Sequence, residues 1–292
     1  MPTNKDLDVF LCVENVDNCD ILLNQLGNGE IFGPNQHLRL ILQSFQQNQL
    51  EALSWDVQDC AFPLISDVST CTTLADAGLH PDAIMVLLTD HLKGSCNISN
   101  LDEDQEYFKD FLGLIQYTKS LAKAFAGCSL NHAPIVLLGD SSHTVASLLS
   151  NHLSTVLDAG QMIALDGIET NLRPRKLGRS QGHMGKVVRF CDALRQWWNG
   201  QQAHPDIKTK LGTKFVDNKQ RCVNGESTGY FFSAPVDFSG PGTFSARLDC
   251  NIDLSHVARV KAETDAAHAL VAKIYGHQCE QEQSSCFPVA LL

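Results

Sequence analysis

Positive charge is scarce in this chain: 22 lysines and arginines face 33 acidic residues, a formal net charge of −11. A nucleic acid or an anionic membrane surface calls for a basic face, so neither is expected as a partner. Long apolar runs are also missing. No stretch approaches the roughly 20 residues that span a bilayer as a helix. Paired cysteines are absent too. The eleven cysteines stand singly, and no two have the spacing of zinc ligands, so no metal is expected. Their number is odd, and residues 1–8 are polar with no apolar leader. Reduced thiols and a cytoplasmic setting are therefore expected, in which the sequon at Asn97 stays unmodified. No internal repeat is present.

What is there is ordinary for a globular protein: 292 residues, 43% hydrophobic and 19% charged. In the first half, short apolar runs alternate with helical patterns. Residues 8–13, 38–42, 83–88 and 134–139 read as strands; residues 21–26, 50–57 and 104–126 read as helices. Gly27-Asn28-Gly29 closes the first helix. This alternation predicts an α/β fold with a parallel sheet and right-handed crossovers. The second half differs. Residues 171–185 form a basic, glycine-containing loop, residues 184–198 a helical stripe, residues 231–238 and 243–248 antiparallel strands, and residues 257–274 a final amphipathic helix. The tail from residue 277 is polar and lacks periodicity.

Four blocks give a more specific signal. They are Leu26-Gly27-Asn28-Gly29-Glu30-Ile31-Phe32-Gly33, Val57-Gln58-Asp59-Cys60-Ala61-Phe62-Pro63-Leu64, Ala193-Leu194-Arg195-Gln196-Trp197-Trp198-Asn199-Gly200 and Phe231-Phe232-Ser233-Ala234-Pro235-Val236. In sequence and order they resemble the cytosolic-type malate dehydrogenases, of the lactate/malate dehydrogenase superfamily, over about residues 8–275. They also look like the divergent 1B type of that family. The resemblance implies a Rossmann-like, parallel-sheet domain at 1–145, a shortened lactate/malate dehydrogenase-type α/β domain at 146–276, and a flexible tail at 277–292. It also implies an NAD cofactor, a dimer, and a glycine loop, substrate arginines and a His–Asp pair in the cleft.

Those functional elements are altered. By register, the glycines of the phosphate loop fall on Val13 and Val16, and Glu14 and Asp17 add negative charge where a pyrophosphate would lie. The acid that receives the ribose hydroxyls is replaced by Gln43, followed by Ser44; a solvated strand end is the simpler expectation for Gln43. Of two arginines that grip a substrate carboxylate, only Lys93 keeps a charge, and lysine lacks the bidentate fork. Asp140-Ser141-Ser142-His143 stands where the family has an Asn-Pro-x-Asn turn. His143 is a candidate acid or base against the plainer reading of a surface or packing histidine. Asp166 matches the carboxylate that orients the catalytic histidine, but several dozen residues that would carry that histidine are missing. His183 lies in a context that does not match.

The first expectation is thus a malate dehydrogenase-like pseudoenzyme with a structural or interaction role, with no cofactor expected, or NAD if any. The alternatives are a residual NAD-dependent malate dehydrogenase resting on Lys93, His143 and Asp166, or a regulatory subunit of one. A protein partner or a homodimer is expected, through residues 50–57 with an exposed Trp55 and through residues 184–198. Adjacent helical side chains diverge by about 100°, so Trp197 and Trp198 are not expected to face one core. The resemblance to the 1B type adds the cilium or flagellum axoneme to the expected locations.

Overall fold

The computed structural model describes residues 5–14, 19–73, 80–88, 105–125, 133–139, 141–152, 162–165, 182–199, 210–214, 231–240, 243–246, 258–270 and 272. The first half runs β1 (Leu7–Val13), α1 (Asp20–Gly27), β2 (Leu38–Gln43), α2 (Gln47–Asp59), β3 (Ile65–Thr70), β4 (Ala83–Leu87), α3 (Gln105–Phe125) and β5 (Ile135–Leu138). It is followed by α4 (Ser142–His152), β6 (Met162–Leu165), α5 (Gly182–Asn199), β7 (Lys210–Lys214), β8 (Phe231–Gly240), β9 (Thr243–Ala246) and α6 (258–270).

One sheet joins all nine strands in the order β3-β2-β1-β4-β5-β6-β7-β8-β9. The first six pair in parallel, and β7, β8 and β9 add antiparallel neighbours. The order 3-2-1-4-5-6 is that of a Rossmann sheet, whose direction of winding reverses between β1 and β4. The α/β fold with a parallel sheet expected from the alternation is therefore present, and the strand order makes it doubly wound.

The near-continuous apolar strands exist because both faces of the sheet are covered. Val9, Leu11 and Val13 of β1 share one face with Leu40, Leu42, Met85, Val136 and Ile163, against Leu22, Leu26, Leu50, Leu53, Leu194 and Trp197 of α1, α2 and α5. Phe10 and Cys12 share the other face with Ile41, Ile84, Val86, Ile135 and Leu137, against Phe111, Leu114, Leu121, Val145, Leu149 and Ala267 of α3, α4 and α6. Each fully buried Leu, Val or Ile contributes about 1.5–3 kcal/mol relative to exposure. Among the described residues no helix is long and apolar enough to cross a membrane.

Four elements differ from the sequence expectation. β3 was not anticipated because it is an edge strand in which only Val68 is buried. β6 has four residues, too few for a periodic signal, and β7 carries Gly212 between lysines. α4 is the largest surprise, because Ser and Thr compete for the backbone and lower helix propensity. Here their hydroxyls are absorbed into the fold. Ser147 Oγ donates to His143 O at 2.8 Å, Ser150 Oγ to Ser147 O at 3.2 Å, and Thr144 Oγ1 to Glu263 of α6 at 2.8 Å. α4 also spans the boundary placed between residues 145 and 146. Ser147 Oγ accepts the Phe231 amide at 3.0 Å, tying α4 to the first residue of β8.

The tryptophan pair requires a correction. Trp197 is 1% exposed in the core, as a helix face predicts, but Trp198 also packs against that core. Its ring meets Phe32 edge-on, with centroids 4.7 Å apart and planes at 87°. Phe32 lies in the turn after α1 and covers the second ring, so the 100° divergence does not push Trp198 outward. Trp55 is the tryptophan left on the surface, 65% exposed on α2.

Candidate functional site

In an open parallel sheet, ligands gather at the carboxyl ends of the strands, at the switch point. That edge is built here from Val13 and Glu14 after β1, Gln43 and Ser44 after β2, Leu88 after β4, and Gly139, Ser141, Ser142 and His143 after β5. Glu14 N donates to Leu87 O at 3.2 Å, and Leu88 N to Leu138 O at 2.8 Å, so the strand ends stay laced beyond the ladder itself. Gly139 has φ +137°, and a Cβ there would sit 2.9 Å from Leu88 Cβ and O. Only glycine lets the two strand ends approach so closely.

The residues singled out from the sequence fall as follows. Val13 is the last residue of β1 and fully buried. Glu14 is half-buried just beyond it. Ser44 is buried, and its Oγ accepts the Gln46 amide at 3.2 Å, which fixes the turn into α2. His143 is 2% exposed in the first turn of α4, so it is not a surface histidine. Val16, Asp17, Lys93 and Asp166 lie outside the described residues, as does the side chain of His183. His143 opens α4 just after β5 and Gln43 ends β2, and those two strands are three places apart in the sheet, so the structure brings the two residues to one edge but not into one cluster.

Gln43 corrects a second expectation. It is not a solvated strand end but fully buried. Its register partner is Cys12, so it points to the face covered by α3, where Tyr117 lies. Neither Nε2 nor Oε1 of Gln43 has a hydrogen-bond partner, and the same is true of the Tyr117 hydroxyl and of Ser141 Oγ and Ser142 Oγ. Each such orphan costs about 1–3 kcal/mol. Native interiors leave few of them, so a row of four along one edge marks it as unusual. The Tyr117 ring meets Phe45 edge-on at 5.5 Å, 85° between planes, and Phe45 is 44% exposed.

Tyr117 and the burial of Ser141 and Ser142 were missed from the sequence. Tyr117 had a usable signal, since it lies three residues after Leu114 and four before Leu121 on the inner stripe of α3. The two serines gave no comparable signal.

Among the described residues the edge is electrostatically neutral to negative. Burial pushes the Cys12 thiol well above its usual pKa, with Cys71 adding to the shift. Burial raises Tyr117 likewise, followed by Cys12 and Glu14. Both groups stay protonated, so Cys12 is no nucleophile. α1, which follows β1, opens with Asp20 in its first turn and has no side-chain cap hydrogen bond at Cys19. An acid already serves the helix end where an anion would otherwise bind. The described residues thus offer hydroxyls, a carboxamide and aromatic rings, but no arrangement that fits a diphosphate. Among them no group of three His, Cys, Asp or Glu side chains is placed to hold a metal ion.

With this geometry in place, comparison with known proteins gives the following. No family model matches the chain. The malate dehydrogenase of Corynebacterium jeikeium is 25% identical over 211 residues, 70% of this chain and 60% of that protein. The malate dehydrogenase of Protochlamydia amoebophila is 32% identical over 107 residues, 36% of this chain and 32% of that one. The chain thus matches less than two thirds of the length of either relative. Among solved structures, the malate dehydrogenase of Naegleria fowleri superposes with a TM-score of 0.61 at 15% identity, covering 92% of this chain and 98% of that one. The lactate dehydrogenase of Trichomonas vaginalis in complex with NADH and oxamate gives 0.62 at 14% identity, covering 93% and 99%. The fold is that of the malate and lactate dehydrogenases, and the two sequence relatives support kinship at the level of that superfamily.

Proposed function

We propose that this chain is a malate dehydrogenase-like protein with a structural or interaction role and little capacity to hold NAD or oxidise malate. One observation carries this reading: β1 ends in a fully buried valine followed by a carboxylate, and α1 begins with another acid. A dinucleotide diphosphate needs free backbone amides and close approach at that point. Here it meets a β-branched side chain and like charge. The exposed Trp55 supports a protein partner or a second copy of the chain on α2, since tryptophan is favoured at interfaces. The kinship with the malate dehydrogenases is read in the same way, as a scaffold retained after its chemistry changed. The test is calorimetric titration of the full chain with NAD and NADH, alongside a malate oxidation assay. The expected result is no saturable dinucleotide binding and no turnover. Tight NAD binding with malate-dependent reduction would overturn the reading.

A second reading, an altered NAD-dependent oxidoreductase, draws on Ser141, Ser142 and His143, buried together after β5. If it holds, a malate oxidation rate exists and His143→Ala removes it while the melting temperature stays within a few degrees. An unchanged rate in that variant eliminates it.

A further inference from the structure

The outer face of α2 joins an exposed aromatic ring to unmatched charge. Trp55 is 65% exposed. Helical periodicity puts Glu51 one turn before it and Asp59 one turn after it, each about 40° round the axis from the indole. Both carboxylates are exposed. Leu50, Leu53 and Val57 are the buried apolar side of the helix, so the stripe Glu51-Trp55-Asp59 faces away from the sheet. Among the described residues no ion pair includes Glu51, Asp56 or Asp59.

The charges also stand the wrong way round for the helix. Asp56 and Asp59 lie in the last turn of α2, which has no basic residue, and the first turn has no acid. The carboxyl end of a helix carries partial negative charge and favours cations. The surrounding sequence supplies none, because no lysine or arginine occurs between Arg39 and Lys93. Glu30, by contrast, is met by Arg195. A cation brought from outside relieves both the repulsion among the acids and their conflict with the helix dipole.

We propose that the outer face of α2 docks an arginine-rich segment of a partner protein, one guanidinium lying on the Trp55 ring and others meeting Glu51 and Asp59. This names the partner's chemistry for the interaction role given under Proposed function, on which it rests. Arginine fits better than lysine. Its planar guanidinium stacks on an indole face and forks onto a carboxylate, which an ammonium does not do. Glu51 and Asp59 are separated by two helical turns, about 12 Å along the axis, so a segment with cations at that spacing spans the stripe. An anionic membrane or a nucleic acid is repelled by the same face. A second copy applied face to face would set carboxylates against carboxylates, which makes the partner a different chain.

The test titrates the full chain by calorimetry at low ionic strength. The probes are an amidated alanine-based peptide with arginine at every fourth position and its lysine counterpart. Saturable binding is expected, about threefold or more tighter for the arginine peptide and weaker as salt is added. Trp55→Ala is expected to weaken the arginine peptide by about threefold or more and to erase its advantage over lysine. Glu51→Gln combined with Asp59→Asn is expected to weaken both peptides. All three positions are exposed, so the variants should keep the parent's melting temperature. Absence of saturable binding overturns the inference, as does equal affinity for the two peptides or an affinity unchanged in Trp55→Ala. Sedimentation adds a further check: a dimer of the chain that Trp55→Ala dissolves also overturns it, because a second copy then occupies the face. The titration with NAD and the malate assay decide the reading of the scaffold separately, so the two can fail independently.

Discussion

At the amino edge of the parallel sheet, one Arg39 guanidinium nitrogen contacts both carboxylate oxygens of the buried Asp8, at 2.6 and 2.7 Å. The Asp8 amide donates to Asp82 at 2.9 Å, and Ser66 Oγ donates to Asp6 at 2.7 Å. Arg195 reaches from α5 to both the carbonyl and the carboxylate of Glu30. Among the described residues the buried atoms on this side without a hydrogen-bond partner, Asp8 Oδ1, Arg39 Nε and Trp197 Nε1, belong to side chains whose other atoms are paired or packed. At the carboxyl edge, by contrast, Gln43, Tyr117, Ser141 and Ser142 have polar groups with no partner at all. One edge is finished by the chain itself. The other keeps hydrogen-bonding capacity in reserve, as binding edges do at some expense in stability.

The resemblance blocks separate along the same line. Three of the four meet in space at the amino edge. Leu64 N donates to Gly27 O at 3.2 Å and Leu38 N to Leu64 O at 2.8 Å, while Trp198 lies on Phe32. Gly29, φ +76°, has Leu64 Cδ1, Gly33 O and Pro34 Cα within 3 Å of a would-be Cβ. These three preserved motifs are therefore packing motifs, while the altered positions within the described residues, Val13, Gln43 and His143, stand at the carboxyl edge. A scaffold can tolerate changes in the second set because few packing contacts depend on them.

Four measurements test this contrast, from the largest effect to the smallest. Trp197→Ala should lose about 3–5 kcal/mol in urea unfolding, since a fully buried indole at the amino-edge node leaves a cavity. A loss under 1 kcal/mol would mean that the node is not structural. Alkali should act next. Burial pushes the Cys191 thiol up to about 12, so the folded state binds its proton more tightly than the unfolded chain. That contribution is fully present below about pH 8.5–9 and is lost as pH rises towards 12. Cys191→Val should flatten the stability decline across that window, and an unchanged alkaline profile would refute the assignment. Gln43→Met should raise stability by about 1 kcal/mol, because it deletes buried polar atoms that have no partners. A loss of 2 kcal/mol or more would show that the carboxamide is satisfied internally. Arg195→Ala should cost only about 0.2–1 kcal/mol, since Arg195 and Glu30 are both more than one-third exposed.

Much of the fold was legible because its signals are local. Uninterrupted apolar runs of strand length, such as residues 83–88, imply burial on both faces. The inner stripe of α3 at Phe111, Leu114, Ile115, Leu121 and Phe125 implies a helix against them. α4 was not legible, since what makes its serines tolerable is a partner far away in sequence: Glu263 for Thr144, and Phe231 for Ser147. Trp198 was misjudged for the same reason, as the ring that covers it belongs to the turn after α1. For the candidate site, the resemblance singled out Val13, Gln43 and His143 as departures from the pattern it implies. It did not reveal that Gln43 is sealed from solvent.

By itself, then, the amino-acid sequence determined the α/β alternation and the acidic balance, since periodicity and charge are read along the chain. Only the tertiary structure decided that the Gln43 carboxamide and the Tyr117 hydroxyl are enclosed without hydrogen-bond partners and that three of the four resemblance blocks converge at the opposite edge. Burial and hydrogen-bond satisfaction depend on residues that the chain brings together from dozens of positions apart, and no local pattern encodes them.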